Sequence, residues 1–142
     1  MRDLVSVGEQ IKGATSEIFF LSTMVGNRYG WPDWLLEVRR ADKRDDRRGI
    51  DAFATTRDMG DIHIQIKNSM GGAVEYVKKH RFVSYKACIF ILEGDEEADE
   101  KRGAVYRRAM RLLERFRENE LRKVKQKFLV SGRYGDIICH LA

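Results

Sequence analysis

The chain has 142 residues, enough for one domain with a real core and too few for two ordinary domains. Its composition, 43% hydrophobic and 35% charged, is that of a globular protein, and a net charge of +5 permits a polyanionic partner without requiring one. No apolar run approaches the roughly 20 residues that cross a bilayer, so no membrane partner is expected. Met1-Arg2-Asp3-Leu4 lacks the apolar stretch of a secretory signal, and the expected compartment is a reducing cytoplasm.

Asp3 to Val25 reads as a helix, because Leu4, Val7, Ile11, Ala14, Ile18, Leu21 and Val25 recur at three- and four-residue steps. Gly8 and Gly13 weaken it, and Thr15-Ser16-Glu17 offers the start of a second helix. A turn through Pro32 follows, flanked by Trp31 and Trp34, whose rings are expected to pack rather than to stack on bases. Trp34 to Arg40 reads as a strand. The connection after it carries Arg39, Arg40, Lys43, Arg44, Arg47 and Arg48 against three acids. Those cations either lie along a nucleic-acid backbone or pair within a solvated hairpin.

Ile50 to Thr56 and Asp61 to Lys67 read as the next two strands, turned by Arg57-Asp58-Met59-Gly60. Asn68 and Ser69 are placed to contact substrate or to cap the short helix Ala73 to Lys79. Lys78, Lys79, His80 and Arg81 form a small basic cluster, suited to phosphate or to solvent. Tyr85 to Leu92 is a continuous apolar run, the pattern of a strand buried on both faces. Glu96 to Lys123 reads as the longest helix. Its stripe is Val105, Ala109, Leu112, Leu113, Phe116 and Leu121, and Glu96, Glu97, Asp99 and Glu100 complement its positive start. The arginines and lysines from Arg107 to Lys127, Arg108 among them, mostly form its solvated face. Lys127 to Ser131 and Asp136 to Leu141 close the chain as strands. Cys88 and Cys139 lie in apolar runs and are expected as buried free thiols, with no CxxC spacing to hold zinc. The order α, three β, α, β, α, β-β implies an α/β or α+β fold, a mixed sheet covered by helices.

The chemistry concentrates in two of the strands. In Asp61-Ile62-His63-Ile64-Gln65-Ile66-Lys67 the isoleucines take one face, so Asp61, His63, Gln65 and Lys67 share the other. His63 on that face reads as a hydrogen-bonded structural histidine. An antiparallel neighbour beginning Gly49-Ile50-Asp51 brings an acid beside that polar row. An acid, an amide oxygen and a lysine at one place suit hydrolysis of a phosphodiester with a divalent cation, since Mg²⁺ takes oxygen ligands and keeps several waters.

Gly49-Ile50-Asp51, Gln65-Ile66-Lys67 and the helix before them resemble the PD-(D/E)XK nuclease superfamily, of restriction-endonuclease-like fold. Gln65 in place of the commoner acid resembles the Mrr-type QxK branch. The resemblance spans roughly residues 9 to 95. It implies a core in the order α-β-β-β-α-β and a Mg²⁺- or Mn²⁺-dependent cut of DNA by water that leaves a 5′-phosphate. Residue by residue, it implies Asp51 as the central metal ligand, with the Ile66 carbonyl beside it and Gln65 at the acidic position. Lys67 would orient the attacking water and offset charge in the transition state. One further acid is implied from the first helix, either Glu17 or Glu9. Gln65 brings no charge, so metal affinity should be lower than in the commoner pattern, and a nuclease-derived module that binds without cutting is the alternative. Cutting both strands of a duplex would need a homodimer or a partner subunit.

Overall fold

Gly60–Lys67 (β3) runs through the middle of the chain's architecture, and its alternation decides which side of the sheet each helix covers. Ile62, Ile64 and Ile66 are all buried on one side, where they pull helices down; His63, Gln65 and Lys67 take the other. The computed structural model describes residues 4–42, 44 and 49–139, with side chains from residue 15 onward.

Among the described residues the strands form one six-stranded sheet in the order β1-β2-β3-β4-β5-β6. The other strands are β1 (Leu35–Arg40), β2 (Ala52–Thr56), β4 (Ala87–Ile91), β5 (Phe128–Gly132) and β6 (Gly135–Cys139). β1, β2 and β3 form the expected antiparallel meander. β3, β4 and β5 then run parallel, and β6 returns antiparallel at the far edge. Each parallel step needs a crossover, which α2 (Met70–Lys79) and α3 (Arg102–Leu121) supply. Every residue of β4 is buried, as its unbroken apolar run requires, since it is paired on both sides and covered on both faces.

One face is covered by α1 (Leu4–Gly26) and α3, whose Phe20, Met24, Leu112 and Phe116 meet Ile62, Ile64 and Phe90 of the sheet. On the other, α2 lays Ala73 and Tyr76 against Ile89, Phe128 and Val130. No described helix is long and apolar enough to cross a membrane.

Several sequence expectations are corrected. α1 is one continuous helix, and Thr15-Ser16-Glu17 begins no second one; the Ser16 hydroxyl donates to Asn68 Oδ1 at 2.8 Å, tying the helix to the end of β3. Its buried face is also rotated from the expected stripe. Ile18 is 60% exposed, and the core instead takes Phe19, Phe20 and Met24, with the Phe20 ring centroid 5.2 Å from that of Phe90. The larger aromatic pair wins the interior. α3, at 20 residues, is shorter than α1 at 23, and it starts at Arg102 rather than Glu96.

The late start has a visible cause. Glu93 and Glu96 cap one another's backbone and close Gly94–Glu96 as a separate 3-10 turn. Glu96 does not sit at a helix start; it is buried and paired with Arg108 at 3.1 Å. Arg108 is not on the solvated face either. Its guanidinium donates to the Ile91 carbonyl at 2.6 Å and the Ser131 carbonyl at 3.0 Å, and lies 4.0 Å over the Phe90 ring. The remainder of the stripe holds except Leu121, which is half exposed at the helix end. Trp31 and Trp34 pack against the core, and both cysteines are free thiols, Cys88 buried and Cys139 half-buried.

The chain enters β2 through Gly49, whose φ of +82° belongs to the left-handed region. A Cβ there would lie 2.8 Å from His80 Nε2 and 2.9 Å from Tyr76 Cε2, so the backbone passes flat against two rings of α2.

Two substitutions test this frame. Gly49→Ala should lower stability in urea unfolding by about 1–3 kcal/mol, from backbone strain and the clash with the ring pair; wild-type stability would contradict the close approach. Arg108→Ala leaves Glu96 and two strand carbonyls without their buried donor, and should cost about 3–5 kcal/mol. A loss below about 1 kcal/mol would show that this network does not hold β4 and β5 to α3.

Candidate functional site

The register of β2 on β3 pairs Ala52 with Ile64 and Phe53 with His63. Continued by one residue, it sets Asp51 opposite Gln65 on the side away from α1. Regular pairing ends there. The Asp51 N–H still donates to the Ile64 carbonyl at 2.9 Å, while the Asp51 carbonyl turns to the Ala41 N–H beyond β1 at 2.9 Å. The next donor on β3, the Ile66 N–H, is taken by Asp51 Oδ2 at 2.8 Å. The carboxylate thus stands in for a ladder carbonyl, and it is fixed beside Gln65 with 7% of its residue exposed.

Gln65 is 6% exposed, and its Oε1 is buried without a hydrogen-bond partner. A buried amide oxygen left unsatisfied costs about 1–3 kcal/mol. Lys67 lies two residues on along the same face, half-buried, with Nζ 5.4 Å from the Tyr76 ring centroid. Its stem lies along Gly72, where a Cβ would stand 3.7 Å from Lys67 Cδ. The Ser69 hydroxyl caps α2 by accepting from the Gly72 N–H at 3.0 Å, so it is a cap residue.

These side chains line one open cleft of about 370 Å³, closed on the other side by Gly72, Glu75, Tyr76, Lys79 and His80 of α2 and by Gly49. The α2 positions are spaced 72, 75, 76, 79 and 80, a single helical face. Tyr76 and His80 stack at 4.1 Å, and His80 Nδ1 is 3.0 Å from the Tyr76 carbonyl. Burial first, then the Tyr85 hydroxyl 3.1 Å away and the Asp51 charge, hold the Tyr76 phenol far above its usual range. Tyr76 is therefore a neutral wall.

The structure brings Asp51, Gln65 and Lys67 together, with the Ile66 backbone between the last two. It does not bring Glu17 into the described lining of that cleft; Glu17 ion-pairs with Arg40 at 3.6 Å on the α1 side of the sheet. Glu9 lies on α1, and its side chain is outside the described residues. The second carboxylate that lines the cleft is Glu75, exposed on α2, which sequence reasoning missed. The signal was present in its spacing from Gly72, Tyr76 and Lys79, on a helix that had to cross β3.

Of the basic connection, Arg39 stands on the cleft side of the sheet, where it pairs with Asp61 at 2.9 Å and lies 4.5 Å over the Phe53 ring. Arg44 is exposed, and Lys43, Arg47 and Arg48 lie outside the described residues. Asn68 is engaged by Ser16. His63 is packed between the Phe53 and Tyr85 rings, each 5.2 Å away.

As a place for a hard cation, the cleft offers one buried carboxylate, an orphan amide oxygen whose desolvation a cation would offset, and the adjoining strand backbone. The donor set is all oxygen, which fits Mg²⁺ or Mn²⁺. Among the described residues no group of three or more His, Cys, Asp or Glu side chains clusters as a metal site, so one carboxylate carries most of the charge. Set against protein-family models, curated proteins and solved structures, the chain matches none of them.

Proposed function

We propose that this chain is a divalent-metal-dependent nuclease of the PD-(D/E)XK superfamily, with a restriction-endonuclease-like fold, that hydrolyses phosphodiester bonds in DNA. The observation that supports it most is the buried, unpartnered Oε1 of Gln65, held beside the Asp51 carboxylate in the cleft that Lys67 enters. The element order from α1 to β4, α-β-β-β-α-β, is the order that the resemblance implies.

On this reading Asp51, Gln65 Oε1 and the Ile66 carbonyl would hold Mg²⁺ or Mn²⁺, with Glu75 a further carboxylate lining the same cleft. When bound, the cation supplies Lewis-acid charge to the phosphate and acidifies the attacking water. Lys67 provides a fixed ammonium on the same strand face, donating to that water or to the phosphate oxygen on which charge grows. Asp51, held by the Ile66 N–H, would stay a charged ligand, and the wall formed by Tyr76 and His80 limits access from the α2 side. The attacking water would release one proton to solvent as its oxygen bonds to phosphorus, the bond to O3′ would break, and the departing oxygen would take a proton from solvent, leaving a 5′-phosphate. Arg39, on the same face, would meet the flanking strand. A cut through both strands would require a two-fold dimer or a partner subunit.

A second reading keeps the fold and drops the reaction: a module that binds nucleic acid or a partner protein. The lone carboxylate beside Gln65, with no described cluster of three ligating side chains, favours it.

The two readings separate in one assay. Single-stranded, duplex and flapped DNA are incubated with the protein and Mg²⁺ or Mn²⁺. The nuclease reading expects cutting that EDTA abolishes and that Asp51→Ala and Lys67→Ala each reduce by roughly 100-fold or more. Wild type that cuts nothing, or Asp51→Ala that cuts equally well, would overturn it.

A further inference from the structure

Phe82 is 82% exposed, two residues past His80 of the cleft wall. An isolated exposed apolar side chain is ordinary. The way this one is held is not. The Val83 N–H donates to the His80 carbonyl at 3.2 Å, closing a turn with Arg81 and Phe82 at its tip. The turn is anchored at both ends: His80 by its stack on Tyr76, Val83 by packing on the α2 side and by the Lys127 ammonium on its carbonyl. Arg81 lies 4.8 Å over one face of the Phe82 ring. The exposed Tyr29 and Tyr134 each carry a hydroxyl, whereas Phe82 presents a bare ring.

The surroundings are cationic. Lys78, Lys79 and Arg81 have no acidic partner within ion-pair distance among the described residues, and Lys79 lines the cleft itself. An exposed aromatic on an anchored turn, with an arginine on one face and two residues from a cleft that Lys67 and Lys79 help to line, has the elements of a platform for an unpaired base whose backbone runs along the cations. Bases within an intact duplex are already stacked and offer it nothing.

We infer that the turn at Arg81-Phe82 is a stacking platform for an unpaired nucleotide, so that the strand entering the cleft is single-stranded, frayed or flipped out at that position. This rests on the nucleic-acid part of the reading above. It concerns which form of substrate is bound and does not depend on the reaction.

The test is therefore binding in EDTA, where no cutting occurs, read by fluorescence anisotropy of a labelled single-stranded oligonucleotide and of its blunt duplex. Wild type should bind the single strand several-fold more tightly than the duplex. Phe82→Ala should weaken single-strand binding by roughly tenfold and leave the duplex unchanged, and Phe82→Trp should retain it. The side chain is outside the core, so circular dichroism should show all three proteins equally folded. Wild-type affinity in Phe82→Ala, preference for the duplex, or no binding of either oligonucleotide overturns the inference. Phe82-dependent binding without metal-dependent cutting would sink the nuclease reading alone, and cutting indifferent to Phe82 would sink the platform alone.

Discussion

The hydrogen bond from the Ile66 N–H to Asp51 Oδ2, 2.8 Å long and buried, joins the architecture of the sheet to the chemistry of the cleft. A charge-assisted bond of this kind contributes roughly 1.5–3 kcal/mol. It lets β2 stop pairing with β3 one residue before the polar row would be covered. Without it a strand donor would be orphaned. With it, the acid is held opposite Gln65, where both line the cleft. Gly49 makes the approach possible by passing the backbone flat against Tyr76 and His80.

The same arrangement accounts for the unusual polarity of the site. Asp51 and Glu75 are opposed by Lys67 and Lys79, so the described lining is close to neutral in formal charge. A cation drawn into it would tip the balance toward a phosphate, and loss of the cation would leave the lysines facing the acids. Gln65 adds no charge to that lining, where an acid would make it net negative. Its buried oxygen has no hydrogen-bond partner.

Much of this was legible in the chain. Strict alternation around Gln65 gave the face on which it lies, and the short turn at Arg57 to Gly60 gave an antiparallel partner that had to carry Asp51. The buried central strand announced itself as an unbroken apolar run. The parts that escaped depend on contacts between segments distant in the chain. Ser16 reads as a helix start until Asn68, on another element, takes its hydroxyl. Glu96 reads as a helix-start acid and Arg108 as a solvated charge because their partners, two strand carbonyls and each other, meet only in the fold. Glu17 looked suited to the cleft by helix and distance, but Arg40 holds it on the α1 side. Glu75 stands in the cleft because α2 must cross β3 to begin the parallel half of the sheet.

The central claim is that Asp51 and Gln65 form an oxygen pocket for a hard divalent ion. Crystals soaked in Mn²⁺ test it most directly through anomalous density. The account predicts a peak within ligand distance of the Asp51 carboxylate and Gln65 Oε1 that is lost in Asp51→Ala crystals. A cleft without such a peak, or a Gln65 oxygen bonded to a neighbouring side chain, would contradict it.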